Sequence, residues 1–146
     1  MTMHRRPIGR SRLLAAIGAI VTLVGSFLPW WTVGGREGLP VLSGNGLEAA
    51  GIIVFGVAIA TLALVTLPYA SERPVSLDRW LSYAALAGLG TVAFAYRLFD
   101  LAMMGVFRFA EPADVIVRIP GLWLAGIGLS ILARAAYDML GEPRLR

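Results

Sequence analysis

Charged side chains are absent from residues 13–35, 49–71, 80–96 and 119–133, and the charges gather between those four apolar runs. A helix crossing the ~30 Å hydrocarbon core of a bilayer takes roughly 20 mostly apolar residues. Two of the runs meet that length alone, and two draw on flanking residues. The pattern predicts an all-α membrane protein, a four-transmembrane-helix bundle with helices over about 13–31, 47–68, 79–100 and 120–140. These form one membrane domain, 13–140, between a basic tail at 1–12 and a short tail at 141–146.

Local signals sharpen the ends. Arg5, Arg6, Arg10 and Arg12 precede the first run, as in a signal peptide. The run from Leu13 to Trp31 is longer than a usual signal core, and Ser26-Phe27-Leu28-Pro29-Trp30 is no small-residue cleavage site. It reads as a retained helix. Asn45 stands as an N-cap for the second helix, with Glu48 in the capping-box position three residues on, and Pro68 closes that helix. Pro74 and Ser76-Leu77-Asp78 mark a polar turn, and the third helix starts near Arg79 or Trp80. The apolar stretch Leu101–Phe107 can prolong it past the membrane. The fourth carries Pro120 in its first turn, and Gly141 and Pro143 mark its end.

Arginines orient the spans. The N-terminal tail, the 69–79 loop and the C-terminal region share one side and hold nine arginines, whereas Arg36, Arg97, Arg108 and Arg118 make four on the other. The positive-inside rule therefore predicts both termini in the cytoplasm. Trp30, Trp31, Tyr96 and Trp123 fall near the expected outer helix ends, and Tyr69, Trp80, Tyr83 and Tyr137 near the inner ones. Trp30, Trp31, Trp80 and Trp123 read as interfacial anchors, because amphipathic rings favour headgroup depth.

Composition narrows the chemistry. Of the residues, 58% are hydrophobic and the mean hydropathy is +0.74, which leaves little chain for a soluble domain. The pI near 10.3 comes from arginines beside the apolar runs, so anionic lipid is the expected partner and nucleic acid is not. Cysteine is absent, which removes disulfides, thiolate catalysis and cysteine-bound metals. All 13 basic residues are arginine, a bias of GC-rich bacterial genomes.

Ionisable groups within spans are the usual pointers to function in membrane proteins, and here they sit at the ends. Glu48 reads as a cap, Arg97 and Asp100 as a surface-level ion pair, and Arg134 and Asp138 as its counterpart at the inner end of the last helix. Arg134 is the deepest charge, with a stem long enough to snorkel, and with Asp138, Arg144 and Arg146 it is the candidate contact for lipid or a partner. His4, the one histidine, has no cluster of acids around it. The stretch Gly34-Gly35-Arg36-Glu37-Gly38 has no phosphate-loop lysine and reads as a turn. No catalytic residue, metal or cofactor is expected.

Small residues recur at four-residue spacing: Gly18 and Thr22, Gly56 and Ala60, Ala87 and Thr91, Gly126 and Ser130. Such rows let helices approach closely in lipid, so they are the expected packing faces, toward one another or toward another subunit. Residues 32–46 hold five glycines and Leu39-Pro40-Val41-Leu42, compatible with a small hairpin on the membrane. Residues 108–119 contain a short-helix start at Glu111-Pro112-Ala113-Asp114, followed by a piece fit for an interfacial helix or a strand pairing with the first loop. Together the two segments make a small non-cytoplasmic cap.

Gly25-Ser26-Phe27-Leu28-Pro29-Trp30-Trp31, the Gly-rich loop, Gly44-Asn45-Gly46-Leu47-Glu48 entering an apolar helix, and Ile119-Pro120-Gly121-Leu122-Trp123 opening the last one form a set. It resembles small bacterial four-helix integral membrane proteins of unassigned function, common in actinobacterial and related genomes. The resemblance implies a plasma-membrane location and carries no activity. The expectation is a non-enzymatic integral membrane protein of the bacterial cytoplasmic membrane, an accessory or scaffold subunit that associates with other membrane subunits or with itself. The alternatives are a small transporter or channel subunit, or a lipid-binding membrane protein.

Overall fold

The computed structural model describes residues 9–70 and 80–141. Arg5, Arg6, Arg73, Arg79, Arg144 and Arg146, with His4, Pro74 and Pro143, lie outside the described residues. The chain is mostly helical: α1 (Arg10–Phe27), α2 (Gly51–Ala70), α3 (Trp80–Met103), a single turn α4 (Asp114–Val117) and α5 (Pro120–Leu140), with β1 (Pro29–Val33) and β2 (Leu42–Asn45) between the first two helices. Three of these, α1, α2 and α3, are long and apolar enough to cross a membrane. The fourth long helix, α5, has 21 residues and carries Arg134 and Asp138 in its second half.

The long helices pack in a ring in which α1 touches α2 and α5, and α3 touches the same two. Their centre is built mainly from small and medium side chains. One buried cluster, around Ala15, Val57, Tyr83 and Leu132, fills one end, and another, around Trp30, Val54, Leu101 and Leu129, fills the other. Large apolar residues are instead turned outward, among them Ile20, Ile52, Leu81, Val92 and Ile127. Outward apolar faces of this kind are compatible with an apolar solvent.

Several helix ends differ from those expected, beginning with α1, which starts at Arg10 rather than 13. α1 stops at Phe27 rather than 31, because Leu28 precedes Pro29 and adopts an extended conformation at φ −83°, ψ 160°. The chain continues as a hairpin, β1 antiparallel to β2, with Trp31 opposite Gly44 and Val33 opposite Leu42. The register shifts between Pro29 and Trp31, so Trp30 is the extra residue of a bulge and turns inward. α2 begins at Gly51, not 47: Asn45 Oδ1 accepts the Leu47 N–H at 3.0 Å and closes a turn ahead of the helix. Pro68 lies inside the last turn of α2, which runs two residues past it to Ala70. Finally, α3 extends to Met103, the prolongation expected from the apolar Leu101 stretch.

Candidate functional site

The two connecting segments at the α1 C-terminal end meet through side chains. Thr32 Oγ1 donates to the Arg118 carbonyl at 2.9 Å, and Arg118 Nη1 donates to the Gly34 carbonyl at 3.1 Å. Gly34 can take this place because its φ is +80° and a β-carbon there would run into the Pro40 carbonyl. Arg36 spans to Asp114 at 2.9 Å and to Glu111 at 3.8 Å, and Arg118 Nε lies 3.4 Å from the other Asp114 oxygen. Desolvation pushes the Asp114 carboxyl up. The Glu111 N–H and the guanidinium groups of Arg36 and Arg118 outweigh that, and hold it below its ordinary value of 3.8. The segment after Glu111 is a single helical turn, not a strand, and it leaves Ile116 and Val117 exposed.

Beneath this cap the charged residues arrange differently from the surface pair expected. Arg97 pairs with Asp100, yet only 4% of the arginine is exposed. The hairpin explains it: Glu48, at the end of that segment, stands 3.5 Å from Arg97 Nη2 and accepts Trp31 Nε1 at 3.2 Å. Glu48 is therefore no helix cap, since its carboxylate joins the hairpin to α3. Among the described residues, Arg97 Nε has no hydrogen-bond partner.

The tryptophans divide. Trp30 is fully buried, donates Nε1 to the Gly25 carbonyl at 2.9 Å and meets Phe94 edge to face at 5.6 Å, so it is a core residue rather than an interfacial anchor. Gly46 faces its indole, and Gly44 faces that of Trp31, so β-carbons at either would collide with a ring. These two glycines seat the indoles. Trp31 and Trp80 are half-buried, and Trp123 is half exposed, its Nε1 bonded to the Val115 carbonyl at 2.9 Å. Tyr83, expected near a headgroup belt, is also buried.

The small-residue rows divide as well. Gly18 and Thr22 lie at the α1–α5 contact, and Ala87 is buried in the core. On α5, Gly128 meets Gly18 and Thr22, and Gly121 and Ala125 meet Gly25, in place of the expected Gly126 and Ser130. Gly126 instead lies beside Phe94, and Ser130 and Thr91 are exposed. Gly56 meets nothing within 4 Å where a β-carbon would stand, and Ala60 is half-buried.

With the α1–α5 seam closed so tightly, α3 and α5 leave a cavity of about 1040 Å³ between them. Phe94 and Leu98 form one wall, and Leu122, Gly126, Ile127 and Ser130 the other. Phe107 and Phe109, stacked at 6.1 Å, bound it at the capped end, and Arg134 marks the opposite end. Arg134 bonds Asp138 through Nε at 3.0 Å and lies 5.9 Å from the Tyr137 ring. Comparison with protein families, curated proteins and solved structures finds no match to this chain. The site's chemistry has to be read from its own residues. The Thr91 and Ser130 hydroxyls donate to the Ala87 and Gly126 carbonyls of their own helices, at 2.7 and 2.8 Å. The groove is thus apolar along its walls and cationic at one end.

Proposed function

We propose that this chain is an integral membrane protein that crosses the bilayer four times, with both termini cytoplasmic, and that it acts as a non-enzymatic accessory or scaffold subunit of a larger membrane assembly. The proposal includes its place among the small bacterial plasma-membrane proteins it resembles. The outward apolar faces of α1, α2 and α3 support the bilayer as solvent. The last helix, α5, is about 32 Å long at 1.5 Å per residue, enough to serve as the fourth span. Its one ion pair lies within roughly two turns of its C-terminal end, where the arginine stem reaches headgroups. The excess of arginine on the side opposite the cap supports the orientation.

One observation carries the accessory role. The buried hydroxyls at Thr22, Ser26 and Thr61 are bonded to carbonyls of their own helices, while Gly56 and Gly88 stand on the outside with open space before them. In lipid, helices associate by close backbone approach, and outward glycines offer it to a neighbouring subunit. Gentle extraction should therefore co-purify a stoichiometric membrane partner. The double variant Gly56→Leu with Gly88→Leu should lose that partner and keep its helix content. A strictly monomeric, partner-free species in native membranes contradicts the role.

A further inference from the structure

The groove between α3 and α5 makes three demands on an occupant. Along its walls the occupant must be apolar, since the only hydroxyl donors there, Thr91 and Ser130, are committed to their own helices. It must enter from the side: Ile127 and Trp123 form the lip and are each half exposed. At one end it must suit a cation. Arg134 is 70% exposed despite its bond to Asp138, and a guanidinium has about five N–H donors, more than one carboxylate on Nε can use.

Length selects among apolar ligands. Trp123 and Arg134 are eleven residues apart on α5, which at 1.5 Å per residue is about 16 Å. Half of a ~30 Å hydrocarbon core is about 15 Å, the depth reached by one leaflet's acyl chain. The stacked Phe107 and Phe109 close the groove beyond Trp123, at the capped end. A helix from another protein would also be apolar, but nothing in its nature places an anion at the Arg134 end, whereas an anionic lipid has its phosphate there by construction.

We propose that the α3–α5 groove is a binding site for one acyl chain of an anionic phospholipid, with the headgroup phosphate held by Arg134. The proposal rests on the bilayer reading above for the source of the lipid, and does not depend on the accessory role. Occupied, the groove completes the wall between α3 and α5 that protein packing leaves open.

Native mass spectrometry of the full chain in mild detergent, titrated separately with phosphatidylglycerol, phosphatidylcholine and inorganic phosphate, tests it. The wild type should retain one phosphatidylglycerol, roughly fivefold in preference to phosphatidylcholine, the order expected of one arginine near an anionic lipid. Arg134→Gln should abolish the preference and leave weak binding of both lipids. Ser130→Phe, which fills the groove from an exposed position, should remove both, with helix content checked by circular dichroism. Gly126→Leu is a second groove-filling variant should Ser130→Phe fail to fold. Unchanged retention in Arg134→Gln and a folded groove-filling variant overturns the site, as does occupancy by inorganic phosphate alone, or a cross-link from position 130 to a partner helix. A chain that is membrane-embedded but binds no lipid there refutes this inference only. A chain recovered without detergent refutes the bilayer reading as well.

Discussion

A β-carbon on Gly18 would stand 2.8 Å from the carbonyl oxygen of Gly128, so α1 and α5 touch backbone to backbone at this point. The contact repeats along the seam. A β-carbon on Gly25 would stand 2.6 Å from Ala125 N and 2.9 Å from Gly121 O, and one on Gly128 would meet the Thr22 side chain. This seam joins the first and last helices of the domain.

Gly128→Leu should wedge the seam apart and destabilise the fold by about 1–3 kcal/mol, the usual penalty of overpacking. Gly56→Leu, on the outer surface, should cost nothing, because no atom lies within 4 Å of the new β-carbon. Thermal unfolding of both variants in the same detergent checks the contrast. Equal losses would mean that the seam is not as close as it is here.

Trp30 should behave as a core indole. In a variant retaining it as the only tryptophan, emission should be blue-shifted and insensitive to quenchers attached to lipid. The corresponding Trp123-only variant should be quenched. Replacing Trp30 by Ala should cost about 3–5 kcal/mol, in the range for a large buried aromatic.

Arg97 stays buried because Glu48 and Asp100 face it. Removing both acids in one variant leaves an uncompensated cation, and the loss should be on the order of 3 kcal/mol. Both acids are partly exposed, which keeps the figure at the lower end. Arg97→Met in the same background should recover a good part of that loss. Chemical unfolding of the single, double and triple variants measures the coupling; failure of Arg97→Met to rescue would show that the cation is not what the acids serve.

The cap should loosen in acid. Asp114 has a folded pKa below its ordinary 3.8, so its contribution is fully present above that value and is lost as pH falls through the lowered folded value. Asp114→Asn should loosen the cap at neutral pH in the same way. A spin-label distance between positions 37 and 111 follows the effect. No change in either experiment would mean that Arg36 and Arg118 do not hold the two segments together.

Much of this architecture was open to reading in the residues. The charge-free runs located the long helices, the i,i+4 spacing announced the Arg134–Asp138 pair, and five glycines signalled the hairpin. The stop of α1 was equally open, in the rule for the residue before Pro29, but the apolar run through Trp31 masked it. Other features depend on contacts distant in the chain. An indole near a helix end looks alike whether it faces lipid or core, and only the bulge at Trp30 decides. Arg97 is buried because a hairpin some fifty residues earlier folds over it. The groove follows from how tightly α1 and α5 close, which no single helix reveals.

A chain embedded in a bilayer, as proposed above, exposes its cap on the far side from its termini. The chain contains no cysteine, so single cysteines can be placed without background. Glu37→Cys, at the hairpin tip, and Gly141→Cys, at the opposite end of α5, should be challenged in intact cells with a membrane-impermeant maleimide. Position 37 should be labelled at once and position 141 only after permeabilisation. Labelling in the reverse order, or recovery of the protein in the soluble fraction, would contradict it.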